Sequence, residues 1–181
     1  MMRRLTTLLL LALAPGVAVA RGIYSEAGLG ATMFLGPTAD HAAPGPAMAA
    51  RLGYAPTSWV SLGARVAASV HEATVPPPPQ GELFQLYLLG TDVRFQTHFG
   101  WFGMFAEGSG GVAIVSTNVL DAVGVTSPTR HLSPYVSGGG GLEYRTDNPR
   151  FAIGIAGDWA LYPEFDATQS ITARIYLRYT R

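Results

Sequence analysis

Strict two-residue alternation is the feature that most constrains how this chain can fold. In segment 171–180 every second side chain is polar, and the positions between them are apolar: Ile171, Ala173, Ile175, Leu177 and Tyr179. Segment 60–71 shows the same split, with apolar side chains at the even-numbered positions from Val60 to Val70. Since successive side chains of a β-strand point to opposite faces, each segment predicts a strand with one apolar face.

Past Ala20 the same alternation predicts eight strands in all, including these two segments. The fourth is the least regular, because Gln85 and Thr91 fall on its apolar face, and Gly108 and Gly110 weaken the fifth. The predicted strands are residues 22–36, 46–55, 59–71, 83–96, 101–116, 132–145, 150–162 and 169–180.

The predicted connections alternate between short and long. The short ones are residues 56–58, 96–100 and 146–149, and the long ones are 37–45, 72–82, 117–131 and 163–168. Short turns at one end, longer loops at the other and an even number of strands are typical of an up-and-down antiparallel β-barrel.

The first 20 residues have the pattern of an export signal. Arg3 and Arg4 precede an uncharged run of 16 residues, Leu5–Ala20, which ends in the small-residue motif Ala18-Val19-Ala20. A helix of that length spans about 24 Å, short of a hydrocarbon core of about 30 Å. We therefore expect residues 1–20 to be a cleaved signal peptide and residues 21–181 to form one barrel domain.

The composition of residues 21–181 excludes several classes of function. They hold 10 arginines and 12 acidic residues, so no basic surplus is present and a nucleic-acid partner is not expected. The chain has no cysteine, which excludes disulfides and thiolate metal sites, and no cofactor is predicted. Charged residues make up 13% of the chain, about half the usual ~25%, so we expect something other than water to cover much of the surface.

The charged residues of the strands favour a membrane barrel over a soluble one. A soluble ligand-binding barrel turns its apolar face inward, whereas an outer-membrane barrel turns it toward lipid. Six arginines and five acids lie on the polar strand faces, too few for a water-covered surface but able to pair across a narrow lumen. This predicted structural network consists of Glu26, Arg51, Arg65, Asp92, Arg94, Glu107, Glu143, Arg145, Asp158, Arg174 and Arg178.

Aromatic residues on the apolar faces support the same choice. Six of them lie beside a short turn or the chain end, as an interfacial girdle requires: Tyr54, Phe95, Phe102, Tyr144, Phe151 and Tyr179. Strands of about 9–11 residues suffice to cross a bilayer, and a closed barrel pairs every backbone group there. The sequence thus predicts an all-β transmembrane up-and-down antiparallel barrel of eight strands, with lipid around it.

Three segments carry a resemblance to a known group of proteins. The stretches 134–144 and 102–115 and the closing strand 171–179 resemble the small eight-stranded outer-membrane barrels of the OmpA/OmpX and OmpW kind, over residues 21–181. The resemblance implies the cell outer membrane, a barrel-assembly machinery during biogenesis and envelope partners bound through loops. It also implies a structural or surface-interaction role, or passage of a small hydrophobic molecule, without enzymatic activity. One departure is that the chain ends in Tyr179-Thr180-Arg181, whereas such proteins usually end on an aromatic residue.

Two alternative functions stay open at this point. His131 and Ser133 lie two residues apart, as in the lipid-A deacylases, which this chain resembles in size, and a histidine base can activate a serine hydroxyl. Here, however, their strand parity directs both residues toward the lumen or a loop. The other alternative is a soluble periplasmic ligand-binding barrel.

The remaining histidines predict no metal site. His41 and His98 fall in predicted connections and are expected to be solvated, and His71 with Glu72 is expected at the polar rim of the third strand. None of the four histidines has the spacing of paired metal ligands.

Overall fold

A computed structural model describes residues 22–75, 80–115 and 131–181, and within them the side chains of 74–75 and 80–82 are left aside. Eight strands form one closed sheet in which each strand pairs antiparallel with the next and the first pairs with the last. This confirms the predicted eight-stranded up-and-down barrel. The predicted signal peptide lies outside the described residues. The strands are β1 (Gly22–Leu35), β2 (Gly45–Ala55), β3 (Val60–Val75), β4 (Gln80–Phe99), β5 (Phe102–Val115), β6 (Leu132–Arg145), β7 (Phe151–Tyr162) and β8 (Thr168–Thr180).

The strand bounds differ from the predicted ones mainly in the β3–β4 hairpin. β3 continues to Val75 and β4 runs over 20 residues, because the ladder continues from Val60↔Phe95 to Val75↔Gln80. The predicted short connection between β4 and β5 is present, but its bounds of 96–100 are wrong: β4 extends to Phe99, and only Gly100 and Trp101 connect it to β5. Gly100 has φ +63°, a left-handed conformation that glycine adopts at little cost.

The connections divide the barrel into two ends. We call the end with residues 56–59, 100–101 and 146–150 and both described chain ends the short-turn end. The opposite end, where β1, β3, β5 and β7 finish and where residues 36–44 and 163–167 connect strands, is the long-loop end. A short 3-10 helix, Gly36–Asp40, lies at the long-loop end between β1 and β2.

The alternating apolar face lies on the outside of the barrel. Leu29 in β1, Leu142 in β6 and Ile175 in β8 are each more than half exposed, and no protein covers them. Such a belt of exposed aliphatic side chains is far larger than soluble proteins tolerate and matches a hydrocarbon environment. Among the described ranges, no helix is long and apolar enough to cross a membrane.

Glycines on the inner face make room for lumen side chains. The Tyr24 hydroxyl lies over β2 and β3, where a Cβ on Gly53 or Gly63 would stand 2.6 Å from it. Tyr135 lies over β4 in the same way, 2.6 Å from a Cβ on Gly90. Since an eight-stranded barrel is only wide enough for its own side chains, these flat positions let large rings fit inside.

Candidate functional site

The predicted lumen residues lie together near the short-turn half of the barrel. Ten of the eleven are buried in a single ion-pair network, which we call the charged cluster. Five arginines balance five acids in it, so the cluster carries no formal net charge. Its members are Glu26, Arg51, Arg65, Asp92, Arg94, Glu107, Glu143, Asp158, Arg174 and Arg178.

Glu107 is the centre of the charged cluster. Its carboxylate oxygens lie 2.6 Å from Arg51 Nη1, 2.8 Å from Arg94 Nη2 and 2.5 Å from Arg174 Nη2. Arg65 approaches the same carboxylate at 4.0 Å and pairs with Asp158 at 2.9 Å. One acidic side chain from β5 thus joins arginines from four other strands, which ties opposite walls of the barrel together.

Glu26 and Glu143 extend the charged cluster toward the short-turn end. Glu26 pairs with Arg94 at 3.0 Å and with Arg178 at 3.2 Å. Glu143 pairs with Arg178 at 3.4 Å and accepts a hydrogen bond from the Tyr176 hydroxyl at 3.1 Å. Every carboxylate of the cluster therefore faces at least one guanidinium, as buried charges require.

Aromatic rings enclose the most buried arginine. The Arg94 guanidinium, with no exposed side-chain surface, lies 4.0 Å from the centre of the Phe105 ring and 5.4 Å from that of Tyr176. Arg178 lies 4.8 Å from the centre of the Tyr24 ring. These cation–π contacts stabilise charge where water is excluded.

Arg145 and His98 differ from the sequence expectation. Arg145 is only half-buried at the end of β6 and has no ion pair within 4 Å among the described residues, so it is not part of the charged cluster. His98 is not a solvated turn residue. It lies in β4 with its side chain 7% exposed, and its Nε2 is 3.3 Å from Glu143 Oε1. The β4 extension to Phe99 directs it into the lumen.

The long-loop half of the lumen holds a buried apolar cluster with uncharged polar side chains such as Ser69, Ser133 and Ser170 around it, and the sequence pattern did not reveal it. Its buried side chains form a cluster that we call the apolar plug: Phe34, Ala42, Ala73, Phe84, Leu86, Ala113, Val115, Tyr135, Ala160, Tyr162 and Phe165. Phe165 comes from the β7–β8 loop, which folds over the barrel mouth. A signal for the plug was present in the sequence, since Leu83–Leu89 of β4 is nearly continuous in apolar residues on both faces.

His71 is part of this apolar region and does not lie at a polar rim. The residue is 1% exposed, and its ring centre is 4.7 Å from that of Phe34 and 5.2 Å from that of Phe84. Nδ1 is 3.1 Å from the Ala43 carbonyl and Nε2 is 2.8 Å from Ser69 Oγ. Both ring nitrogens are thus satisfied by protein groups, while Glu72 points outward and is exposed.

The structure separates His131 from Ser133. His131 precedes β6 and is exposed, whereas Ser133 is fully buried on the lumen face. The Ser133 hydroxyl donates to the Pro134 carbonyl at 2.8 Å and accepts from the Glu164 backbone N–H at 3.1 Å. Ser133 therefore holds the β7–β8 loop in place instead of facing a histidine base.

The six predicted girdle residues all lie near the short-turn end. Tyr54, Phe95, Phe102 and Tyr144 are each at least 44% exposed, and Phe151 and Tyr179 are half-buried against each other with ring centres 5.1 Å apart. Three further exposed aromatic residues extend the belt: Trp59 and Trp101 from the turns and Phe99 from the end of β4. Turn residues have no strand parity, so the sequence pattern could not assign the two tryptophans.

The described residues contain no group of three or more His, Cys, Asp or Glu side chains that could hold a metal ion. Two small cavities lie in the lumen. One, of about 20 Å³, separates the apolar plug from Arg65 and Arg174, and the other, of about 30 Å³, lies at the short-turn end beside Glu143 and Arg178. Each has room for about one or two water molecules.

The charges outside the lumen differ between the two ends. At the long-loop end the described charged side chains outside the lumen are all acidic: Asp40, Glu72, Glu164 and Asp166. At the short-turn end they are three arginines and one acid: Arg145, Asp147, Arg150 and Arg181. Outside the described side chains, the sequence adds Glu82, Asp121 and Arg130 between β3 and β6, and Arg21 before β1. The described charges outside the lumen are thus acidic at one end of the barrel and mainly basic at the other.

Comparison with known proteins identifies the fold. No family model matches the chain, and no curated protein matches it either. Among solved structures, Neisserial surface protein A (NspA) is similar with a TM-score of 0.65 and 12% identity, covering 88% of this chain and 97% of that chain.

Two further solved structures match with lower scores. The N-terminal β-barrel domain of Pseudomonas aeruginosa OprF gives a TM-score of 0.54 at 13% identity, over 89% of this chain and 98% of that domain. Ail, the attachment invasion locus protein of Yersinia pestis, in complex with the heparin analogue sucrose octasulfate, gives 0.51 at 11% identity, over 88% and 99%. This chain therefore has the fold of the small eight-stranded bacterial outer-membrane β-barrels.

Proposed function

We propose that the protein is an integral barrel of the outer membrane that has no enzymatic activity and acts at the cell surface through its long-loop end. The filled lumen is the observation that carries this proposal. The charged cluster occupies one half and the apolar plug the other, and the two cavities of about 20 and 30 Å³ are too small for a solute larger than water. With the interior filled, the outer surface is left for contact with partners.

The acidic long-loop end selects the kind of partner. The Ail structure holds sucrose octasulfate, a polyanion that an acidic surface repels. Asp40, Glu72, Glu164 and Asp166 instead favour a neutral or basic surface as the partner of this protein.

Passage of a hydrophobic molecule and lipid-A hydrolysis have less support. Passage through the lumen would require Phe34, Phe84 and Phe165 to leave the apolar plug together. Hydrolysis would require the Ser133 hydroxyl to give up its bonds to Pro134 and Glu164 and to meet a base. A soluble barrel would require the exposed aliphatic belt to face water.

Membrane fractionation with electrophoresis tests the location. Closed barrels resist SDS until boiled, so the protein should appear in the detergent-extracted outer-membrane fraction and migrate differently after heating. Recovery in the osmotic-shock fluid without a heat-dependent shift would contradict the proposal.

Mass spectrometry of lipid A tests the absence of activity. Cells that overproduce the protein and cells that lack it should give the same lipid A masses. Loss of one acyl chain on overproduction, prevented by Ser133→Ala, would establish the hydrolase alternative. Binding of the purified protein to a basic and an acidic polypeptide tests the charge preference, and tighter binding to the acidic one would overturn it.

A further inference from the structure

We infer that the short-turn end carries a binding site for the phosphate group of an anionic phospholipid. Three arginines form it: Arg145 at the end of β6, Arg150 directly before β7 and Arg181 after β8. Their strands are neighbours in the sheet, since β6 pairs with β7 and β7 with β8. Adjacent strands lie about 4.8 Å apart, so the three residues share one corner of the rim, with Arg150 and Arg181 exposed and Arg145 beside the cavity just inside it.

The backbone contacts hold these arginines at one corner of the rim. The Thr180 N–H donates to the Arg150 carbonyl at 2.8 Å, which places Arg150 next to the chain end and Arg181. Arg150 and Arg181 are exposed, and Arg145 is half-buried without an ion pair among the described residues. These three side chains therefore differ from the arginines of the charged cluster, each of which has a carboxylate partner.

The depth of the three arginines matches a lipid headgroup. Arg145 directly follows Tyr144, Arg150 directly precedes Phe151, and Arg181 comes two residues after Tyr179. These aromatic residues belong to the belt that marks the boundary of the hydrocarbon layer. Side chains one or two residues beyond that belt reach the level of the phosphates, where each arginine enriches anionic lipid about fivefold.

The two described turns on the other side of the rim lack this charge. The β2–β3 turn and the β4–β5 turn carry Trp59 and Trp101 and no charged residue. A cavity of about 30 Å³ opens beneath Arg145 and Arg150, lined by Arg178 and by the buried hydroxyls of Tyr24 and Ser61. Among the described residues, neither hydroxyl has a hydrogen-bond partner apart from the other hydroxyl. Both can therefore donate to a group bound below the arginines. Glu143 also lines this cavity and is paired with Arg178.

Two of the three tryptophans provide matched reporters for the test. Trp101 lies at the arginine corner, since the Arg145 N–H donates to its carbonyl at 2.8 Å. Trp59 lies in the uncharged β2–β3 turn with the same exposure of 53%. We would prepare single-tryptophan proteins, W59F/W159F and W101F/W159F, and reconstitute each in phosphatidylcholine vesicles with a small fraction of lipid brominated on its acyl chains. Bromine quenches tryptophan only at short range.

Brominated phosphatidylglycerol should quench Trp101 at least about twofold more than the same fraction of brominated phosphatidylcholine. The two brominated lipids should differ less in how strongly they quench Trp59. The R145Q/R150Q/R181Q protein should lose the preference at Trp101, and D147N, which removes the acid of the same corner, should increase it. Higher salt should weaken the preference in the unaltered protein.

Several outcomes would overturn the inference. These are equal quenching by the two lipids, or a preference that survives the triple substitution in a protein that still shows a heat-dependent shift. R150Q alone, at a fully exposed turn position, serves if the triple variant does not fold. Loss of the preference on adding inorganic phosphate at constant ionic strength would show a site for free phosphate. Binding of soluble cell-wall fragments without lipid preference would show a different partner.

The inference shares with the proposed function the view that the barrel lies in a membrane. The vesicle experiment depends neither on which leaflet the short-turn end faces in the cell nor on any partner at the long-loop end. A negative quenching result would therefore leave the proposed surface role intact. Failure to detect a binding partner at the long-loop end would likewise leave the lipid site intact.

Discussion

The two halves of the lumen fill the same narrow space with opposite chemistry. Near the short-turn end ten charged side chains pair with one another, and near the long-loop end aromatic and aliphatic side chains pack without charge. The same belt of outward-facing apolar side chains encloses both halves. The same barrel wall is therefore compatible with either filling, and the two cavities leave room for only a few water molecules.

The difference lies in how each half responds to a lost side chain. A buried ion needs its partner, so removal of one charge leaves others unpaired and costs several kcal/mol. An apolar packing loses contacts in proportion to the volume removed. Single substitutions in the charged half should therefore lower the free energy of unfolding by several kcal/mol each. In the apolar half, the loss should depend on the volume of the side chain that is removed.

Replacing the central carboxylate should have the largest effect. Glu107→Gln keeps the side-chain shape but removes the charge that faces Arg51, Arg94 and Arg174. We expect a loss of about 3–5 kcal/mol in the free energy of unfolding, measured by urea titration in phospholipid vesicles. Glu72→Gln, at an exposed site, is the control and should change the value by less than about 0.5 kcal/mol.

Substitution in the apolar plug should rank second. Phe84 is fully buried between His71 and Phe34, and Phe84→Ala leaves a cavity that its neighbours can partly fill. We expect a loss of about 3 kcal/mol in the same titration. Leu83→Ala, next to it but facing outward, removes only contact with lipid and should cost clearly less. A loss for Phe84→Ala above that for Glu107→Gln would reverse the comparison.

The sequence predicted the charged half better than the apolar half for a physical reason. An arginine or acid is too costly in lipid to face outward, so each charged residue marks the inner face of its strand. Leu86 and Leu88 face inward in β4 while Tyr87 and Leu89 face outward, and all four are apolar. Alternation therefore disappears where both faces avoid water, and the plug could not be recognised.

The sequence pattern also could not predict where some strands end. The sequence pattern predicts a turn at His98, since Gln96, Thr97 and His98 show no alternation of polarity, whereas the structure continues β4 to Phe99. Hydrogen bonding to β5, including the register pair His98↔Gly103, extends the strand there. Such pairing depends on the neighbouring strand, so the local pattern of polar and apolar residues does not predict it.

Inward glycines should have an intermediate effect in both halves. A Cβ on Gly63 would stand 2.6 Å from the Tyr24 hydroxyl and 3.0 Å from the Leu52 carbonyl oxygen. Gly63→Ala should therefore cost about 1–3 kcal/mol through overpacking. Adding Tyr24→Phe removes the nearer of the two atoms and should restore part of the stability. No recovery would show that the Leu52 oxygen or Asp92 Oδ1, which would stand 3.2 Å away, sets the cost.

Two neighbouring glycines of β6 should give effects of opposite sign, and the effect at Gly138 is the smallest expected. A Cβ on Gly139, which faces the lumen, would clash with the Gly157 carbonyl oxygen and stand 2.5 Å from Asp158 Oδ1, whereas one on Gly138 would meet no atom within 4 Å. Gly139→Ala should destabilise the barrel. Gly138→Ala should stabilise it by about 0.4–1 kcal/mol, because alanine restricts the unfolded chain and adds a methyl group toward lipid. Destabilisation by both substitutions would mean that the outer surface at Gly138 needs its glycine for a contact with another molecule in the membrane.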